Sequence, residues 1–135
     1  VSGLHVMLVE DNALNMEVAA FMLRREGAVV TELWNGREAV DYFASSEPDT
    51  VDVILMDVMM PVMNGLAAAR AIRALERPDA KTVPIIAMSA NAFADDIDRS
   101  LEAGMNAHLA KPVDAPKLLS AIHRCSLKRR RGENS

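Results

Sequence analysis

The chain has 135 residues, half of them hydrophobic and a quarter charged, with six Gly and six Pro, which is one domain's worth of globular sequence rather than a disordered segment. Its single cysteine, Cys125, excludes an intrachain disulfide framework and a four-Cys zinc site and points to a reducing compartment. The net charge of −4 hides a division: residues 1–127 hold 11 basic against 18 acidic side chains, while residues 128–135 form a basic tail with four basic groups and one acid, so an acidic, aromatic-poor body argues against nucleic acid as a direct partner.

Five short apolar runs alternate with stretches of helical periodicity. The first run, His5–Val9, leads into a helix predicted over Ala13–Glu26, with Asn12 as N-cap and Gly27 past its end. Val18, Ala19, Met22 and Leu23 form the apolar stripe expected to be its buried face. Val29–Leu33 precedes a helix over Arg37–Ala44, where Ala39, Val40 and Phe43 recur at three- and four-residue spacing. Val51–Met56 precedes Gly65–Leu75, which carries Leu66, Ala69 and Ile72 and is expected to stop at Pro78. Val83–Met88 precedes Ala94–Ala103, with Ile97 and Leu101 on one face and Asp95, Asp96 and Asp98 in the first turns, where the helix dipole favours negative charge. The short run Ala107–Leu109 is the weakest strand, and Pro116–Cys125 closes the series with Leu118, Leu119 and Ile122.

Near-continuously apolar strands joined through helices by short loops are the pattern of an α/β doubly wound fold with a parallel sheet covered on both faces. No segment approaches the ~20 apolar residues of a membrane span, since Val53–Met63 is broken by Asp57 and Pro61, and membrane insertion is not expected. The opening VSGLHVMLVED reaches acidic residues too soon for a signal peptide. A start on Val suggests a domain cut from something longer.

In this topology ligands gather at the carboxyl ends of the strands. Glu10 and Asp11 follow the first strand, Asp57 the third, Ser89 and Asn91 the fourth, and Lys111 the fifth. Any one of these could be a helix cap or a loop residue. Together they are harder to dismiss: three adjacent carboxylates hold at least one pKa high unless a cation joins them, and Lys111 cannot neutralise all three. Hard oxygen ligands suit Mg²⁺. The group is built for a divalent ion and an incoming anion.

The strings LVEDN (8–12), DVMMPVMNG (57–65), MSAN (88–91) and LAKPV (109–113) match, in order and spacing, the receiver domain of two-component response regulators. The match spans about residues 4–125. NALNMEVAAFMLRREG and the MSANAF and GMNAHLAKPV pair most resemble receivers of hybrid sensor histidine kinases. The resemblance implies a flavodoxin-like (βα)5 fold with strand order 2-1-3-4-5. It implies that Asp57 is the phosphoacceptor, that Asp11 and Asp57 bind Mg²⁺ (with Mn²⁺ an admissible substitute), and that the Met59 backbone carbonyl and Glu10, directly or through water, complete the metal site. Lys111 would pair with the phosphoryl oxygens, and Ser89 would hydrogen-bond one of them. The Lys111–Pro112 bond would be cis. The switch would use Ser89 and a ring three residues before the lysine; that position is His108 here, where Tyr or Phe is commonest.

The expected partner is a histidine kinase or a histidine-containing phosphotransfer domain, met by the first helix and nearby loops, with Leu14 and Phe21 as an apolar patch; a phosphorylation-dependent homodimer is also admitted. Placement is expected to be cytoplasmic, either freestanding or as the cytoplasmic part of a membrane-bound kinase. Such a domain catalyses its own phosphorylation and dephosphorylation without being a turnover enzyme. An apolar Met59 and a polar Asn91, at the two places that could orient a hydrolytic water, predict a long-lived phosphoryl group. An aspartate-nucleophile phosphohydrolase would want an acid where Met59 stands. A scaffold without phosphorylation would have no use for the full polar set. His5, His123 and Cys125 are read as structural, and residues 128–135 as a helix end or linker.

Overall fold

In the computed structural model, which describes residues 2–90 and 94–130, five parallel strands form one sheet in the order β2-β1-β3-β4-β5. The strands are β1 (His5–Val9), β2 (Val29–Leu33), β3 (Val53–Asp57), β4 (Ile85–Ser89) and β5 (Ala107–Ala110). Between and after them run α1 (Ala13–Arg25), α2 (Gly36–Ser45), α3 (Gly65–Arg73), α4 (Pro78–Thr82), α5 (Ala94–Glu102) and α6 (Ala115–Arg130). This is the doubly wound order that the motifs implied.

The central strands are buried on both faces, and their alternation splits the core in two. Val6 and Leu8 of β1, with Val53 and Leu55 of β3, meet Met16, Ala20 and Leu23 of α1 and Leu118, Ala121 and Ile122 of α6. Met7, Val9, Ile54 and Met56 point the other way, against Ala39 and Phe43 of α2 and Ala68, Ala69 and Ile72 of α3. Period-two alternation puts neighbours in the chain on opposite layers. Each fully buried side chain such as Phe43 or Ile72 contributes roughly 1.5–3 kcal/mol relative to exposure.

Four elements depart from the expected ones. The buried face of α1 is Met16, Ala20 and Leu23, while Val18 is 45% exposed; the helix is rotated because its apolar residues exceed one face, and the stripe through Met16 fits the sheet. Pro78 does not end a helix but starts one, at the first position of α4, where a missing N–H costs nothing. β3 begins at Val53 and β4 at Ile85, two residues later than expected; Val51 and Val83 still pack into the core, beyond the end of the ladder. Among the described residues no helix is long and apolar enough to cross a membrane.

Asparagine caps set the helix starts at the sheet's carboxyl edge. The Oδ1 atoms of Asn12, Asn35 and Asn64 each accept from the backbone N–H three residues on, at 2.9 Å, and such a cap is worth about 1 kcal/mol. Each follows the end of β1, β2 or β3 by two to seven residues, so α1, α2 and α3 begin at the same rim.

Candidate functional site

The strands bring the predicted polar residues together. Glu10 and Asp57 are buried at the ends of β1 and β3, Asp11 beside them is exposed, and ligand oxygens of the three lie within 4.8 Å of one another. Lys111, just past β5, reaches back across the rim. Its Nζ donates to Glu10 Oε1 at 3.0 Å and Oε2 at 3.1 Å, and stands 3.0 Å from Asp57 Oδ2. The Lys111–Pro112 peptide is cis, and the Lys111 backbone N–H donates to the Ser89 carbonyl at 2.8 Å.

Burial works against charge on all of these groups, and the balance differs at each. At Glu10 burial is outweighed by hydrogen bonds with Asp57, Lys111 and Asn15, and the carboxyl ends below its ordinary value. At Asp57 burial prevails, reinforced by the hydrogen bond and the charge of Glu10 over the pull of Lys111, and the pKa is pushed up to about 7. Lys111 is desolvated too, yet its two carboxylate partners hold its pKa above the ordinary lysine value. The two carboxyls titrate as a pair that keeps a proton longer than separate acids would. A cation added at Asp11 and Asp57 removes the reason for that proton. The donor set therefore fits a hard divalent ion such as Mg²⁺.

The loop from Val58 to Asn64 holds Asp57 in place. The Val58 N–H donates to the Met88 carbonyl and the Gly65 N–H to the Val58 carbonyl, both at 2.9 Å, and the Met59 N–H reaches Asp57 Oδ1 at 3.2 Å. At Gly65 the constraint is one of space, because a Cβ there would sit 2.3 Å from the Asp57 carbonyl oxygen. The loop also contains Val62 at φ 70°, a left-handed conformation that a β-branched residue rarely adopts. The Met59 side chain is 75% exposed.

Ser89 ends β4 and is buried, with its Oγ 2.8 Å from His108 Nε2. Asn91 lies outside the described residues. Leu14 and Phe21 are 68% and 65% exposed on α1, as their place off the buried stripe suggested. Val18 joins Leu14 beside a depression of about 230 Å³ that also borders Glu10 and Lys111. Sequence reasoning did not find Asn15, whose side chain helps to lower the Glu10 pKa; its signal was a polar residue on the first turn of the helix that starts at the rim. Nor did it find the Ser89–His108 bond, which depends on the register of β4 and β5.

Known proteins give the same answer. Residues 6–123 match the profile of the response regulator receiver domain. The chain is 36% identical over 132 residues to Probable histidine kinase 2 of Oryza sativa subsp. indica, matching 90% of this chain but 13% of that protein. It is 35% identical over 119 residues to Hybrid signal transduction histidine kinase I of Dictyostelium discoideum, covering 87% of this chain and 7% of that one. It thus spans a small part of these relatives. Among solved structures, the receiver domain of sensor histidine kinase PA1611 from Pseudomonas aeruginosa PAO1, with a magnesium ion coordinated in its active site cleft, superposes with a TM-score of 0.83 at 41% identity, over 93% of this chain and 98% of that one. The receiver domain of Ssk1, co-crystallised with the histidine phosphotransfer protein Ypd1 of Saccharomyces cerevisiae, superposes with a TM-score of 0.83 at 29% identity, over 93% and 90%. With its fold, its motifs and most of its length matched, the chain belongs to the response regulator receiver domain family of two-component systems.

Proposed function

We propose that Asp57 accepts a phosphoryl group from a phosphohistidine, and that the domain relays it within a two-component pathway. One observation carries this reading: Asp57 is a buried carboxylate held between a lysine ammonium and two further acids, at the carboxyl edge of the sheet. Phosphoryl transfer spreads charge over three oxygens in a loose transition state, so positioning and cations do most of the work. An Asp57 oxygen attacks phosphorus in line, the P–N bond to the donor imidazole breaks, and the imidazole leaves with a proton from solvent. Asp11, Asp57, Glu10 and the Met59 carbonyl would hold Mg²⁺, which supplies positive charge to the transferring oxygens when bound. Lys111 pairs with the phosphoryl oxygens, and Ser89 hydrogen-bonds one of them after transfer.

The unit that does this is residues 1–127, with the basic segment 128–135 appended. The partner is a histidine kinase or a histidine-containing phosphotransfer domain. The exposed Leu14 and Val18, beside the depression bordered by Lys111, and the exposed Phe21 on the same helix support docking of an apolar helix face on α1. The Ssk1 receiver in complex with Ypd1 supports that partner class. Mn²⁺ should substitute for Mg²⁺, and the domain is placed in the cytoplasm, where phosphohistidine donors are made.

The test is transfer from a labelled phosphohistidine donor, with Mg²⁺ and with chelator. Asp57→Asn is expected to reduce labelling at least ~100-fold, since it removes the nucleophile itself. Full labelling of Asp57→Asn, or of the wild type in chelator, would overturn the proposal.

A further inference from the structure

The nine methionines of the chain differ sharply in their access to solvent. Met7, Met16, Met56, Met88 and Met105 are no more than 3% exposed, and Met22, Met60 and Met63 are partly buried against the two cores. Met59 stands apart at 75% exposed. Its backbone N–H reaches Asp57 Oδ1 at 3.2 Å, so the most accessible methionine of the chain is also the one held against the acceptor carboxylate. A cavity of about 140 Å³, bordered by Val58, Met59, Leu66 and Ser89, opens beside it. There is room in it for more than one water, at ~30 Å³ each in the liquid. Its wall along Val58, Met59 and Leu66 is apolar, and nothing on that side orients a water.

Peroxides oxidise a thioether according to its access, and the product is polar. We propose that Met59 is a redox modification site that sets the lifetime of the phosphoryl group on Asp57. Hydrogen peroxide gives one oxygen to the Met59 sulfur; the sulfur is oxidised to a sulfoxide and the peroxide is reduced to water. The sulfoxide oxygen accepts a hydrogen bond from a water in the cavity mouth, and that water's oxygen attacks phosphorus. The bond from phosphorus to the Asp57 oxygen breaks, Asp57 leaves as a carboxylate, the water's proton goes to solvent, and inorganic phosphate is released. A dithiol reductase reverses the modification, taking the sulfoxide oxygen away as water and ending as a disulfide. This inference rests on the acceptor reading of Asp57 and adds to it a chemical input at the same site.

The experiment treats the wild type, Met59→Leu and Met63→Leu with hydrogen peroxide and removes the peroxide with catalase. Each is then labelled from a phosphohistidine donor with Mg²⁺, and decay of the label is compared with that of the same protein untreated. Peptide mass mapping is expected to find Met59 oxidised first. Oxidation is expected to speed decay about fivefold in the wild type and in Met63→Leu, the value of one hydrogen bond. Met59→Leu, which keeps Cys125 and the other eight methionines, is expected to show no change. Methionine sulfoxide reductases for both epimers should restore slow decay. Oxidation that begins at another methionine, decay unchanged or slowed by Met59 oxidation, an acceleration that persists in Met59→Leu, or one that survives the reductases overturns the inference. Untreated wild type that takes no label overturns the acceptor reading and this inference with it.

Discussion

Two buried clusters in this domain use the same ingredients to opposite ends. On the flank formed by α2 and α4, Arg77 meets buried Asp79 in a two-pronged pair, Nε to Oδ1 at 2.7 Å and a terminal nitrogen to Oδ2 at 2.8 Å. The same guanidinium donates to the carbonyls of Phe43 and Ser46 and lies 4.7 Å from the Phe43 ring centroid. Charge is matched one to one, and the Asp79 pKa is pulled down to about 2 by its bonds to Arg77, against the cost of burial. At the carboxyl edge, Glu10 and Asp57 share the ammonium of Lys111, with the exposed Asp11 beside them, and Asp57 is pushed up to about 7. Burial is common to both acids. The ratio of charges decides whether a buried acid is settled structure or an unmet demand for a cation.

Removing one side of the matched pair should break this contrast most visibly. Arg77→Ala leaves Asp79 buried without its cation and strips donors from the end of α2. It is expected to cost about 3 kcal/mol in urea unfolding, followed through Trp34, the chain's single tryptophan. A loss below ~1 kcal/mol would show that the pair is ornamental.

The unmatched cluster should respond in the opposite direction. In chelator at pH 8, Asp57→Asn is expected to stabilise the fold by about 1 kcal/mol, because it removes surplus buried charge while leaving Glu10 to Lys111. The pH dependences of the two acids also oppose one another. Asp57, raised on folding, binds its proton more tightly in the native chain, so its contribution is complete below pH ~3.9 and is lost as pH rises through 7. Asp79, lowered on folding, contributes fully above pH ~3.9, and that contribution is lost as pH falls through about 2. Millimolar Mg²⁺ should flatten the first slope and leave the second unchanged. Equal slopes with and without the ion would sink the comparison.

The smallest expected effect concerns the loop beside Asp57. The exposed, apolar Met59 cannot orient a water well, so Met59→Asn should speed loss of the phosphoryl group severalfold, read as decay of labelled protein, with stability unchanged within ~0.5 kcal/mol. An unchanged decay rate would remove Met59 from the account.

The acid cluster was legible in the sequence because two local rules suffice: apolar runs mark strands, and in this winding the residues just past strand ends converge. Glu10 and Lys111 follow their strands directly, and Asp57 is the last residue of its own. The Arg77–Asp79 pair was not legible, since what makes it structural is a set of carbonyls from α2 more than thirty positions away. The face of α1 was misjudged for a related reason. Val18 and Met16 are equally apolar, and only the sheet beneath decides which is buried. Leu14 and Phe21 were readable as exposed because they fit neither stripe.

The hydrogen bond from Gly65 to Val58, together with the space that only a glycine leaves against Asp57, closes residues 58–65 into a ring. A ring of this kind has a fixed circumference. Exposed positions on it such as Met59 and Val62 can be exchanged for other side chains, whereas one residue inserted or deleted would open the closure and tilt the Asp57 carboxylate. Diversity in this segment should therefore accumulate by replacement, with insertions and deletions excluded.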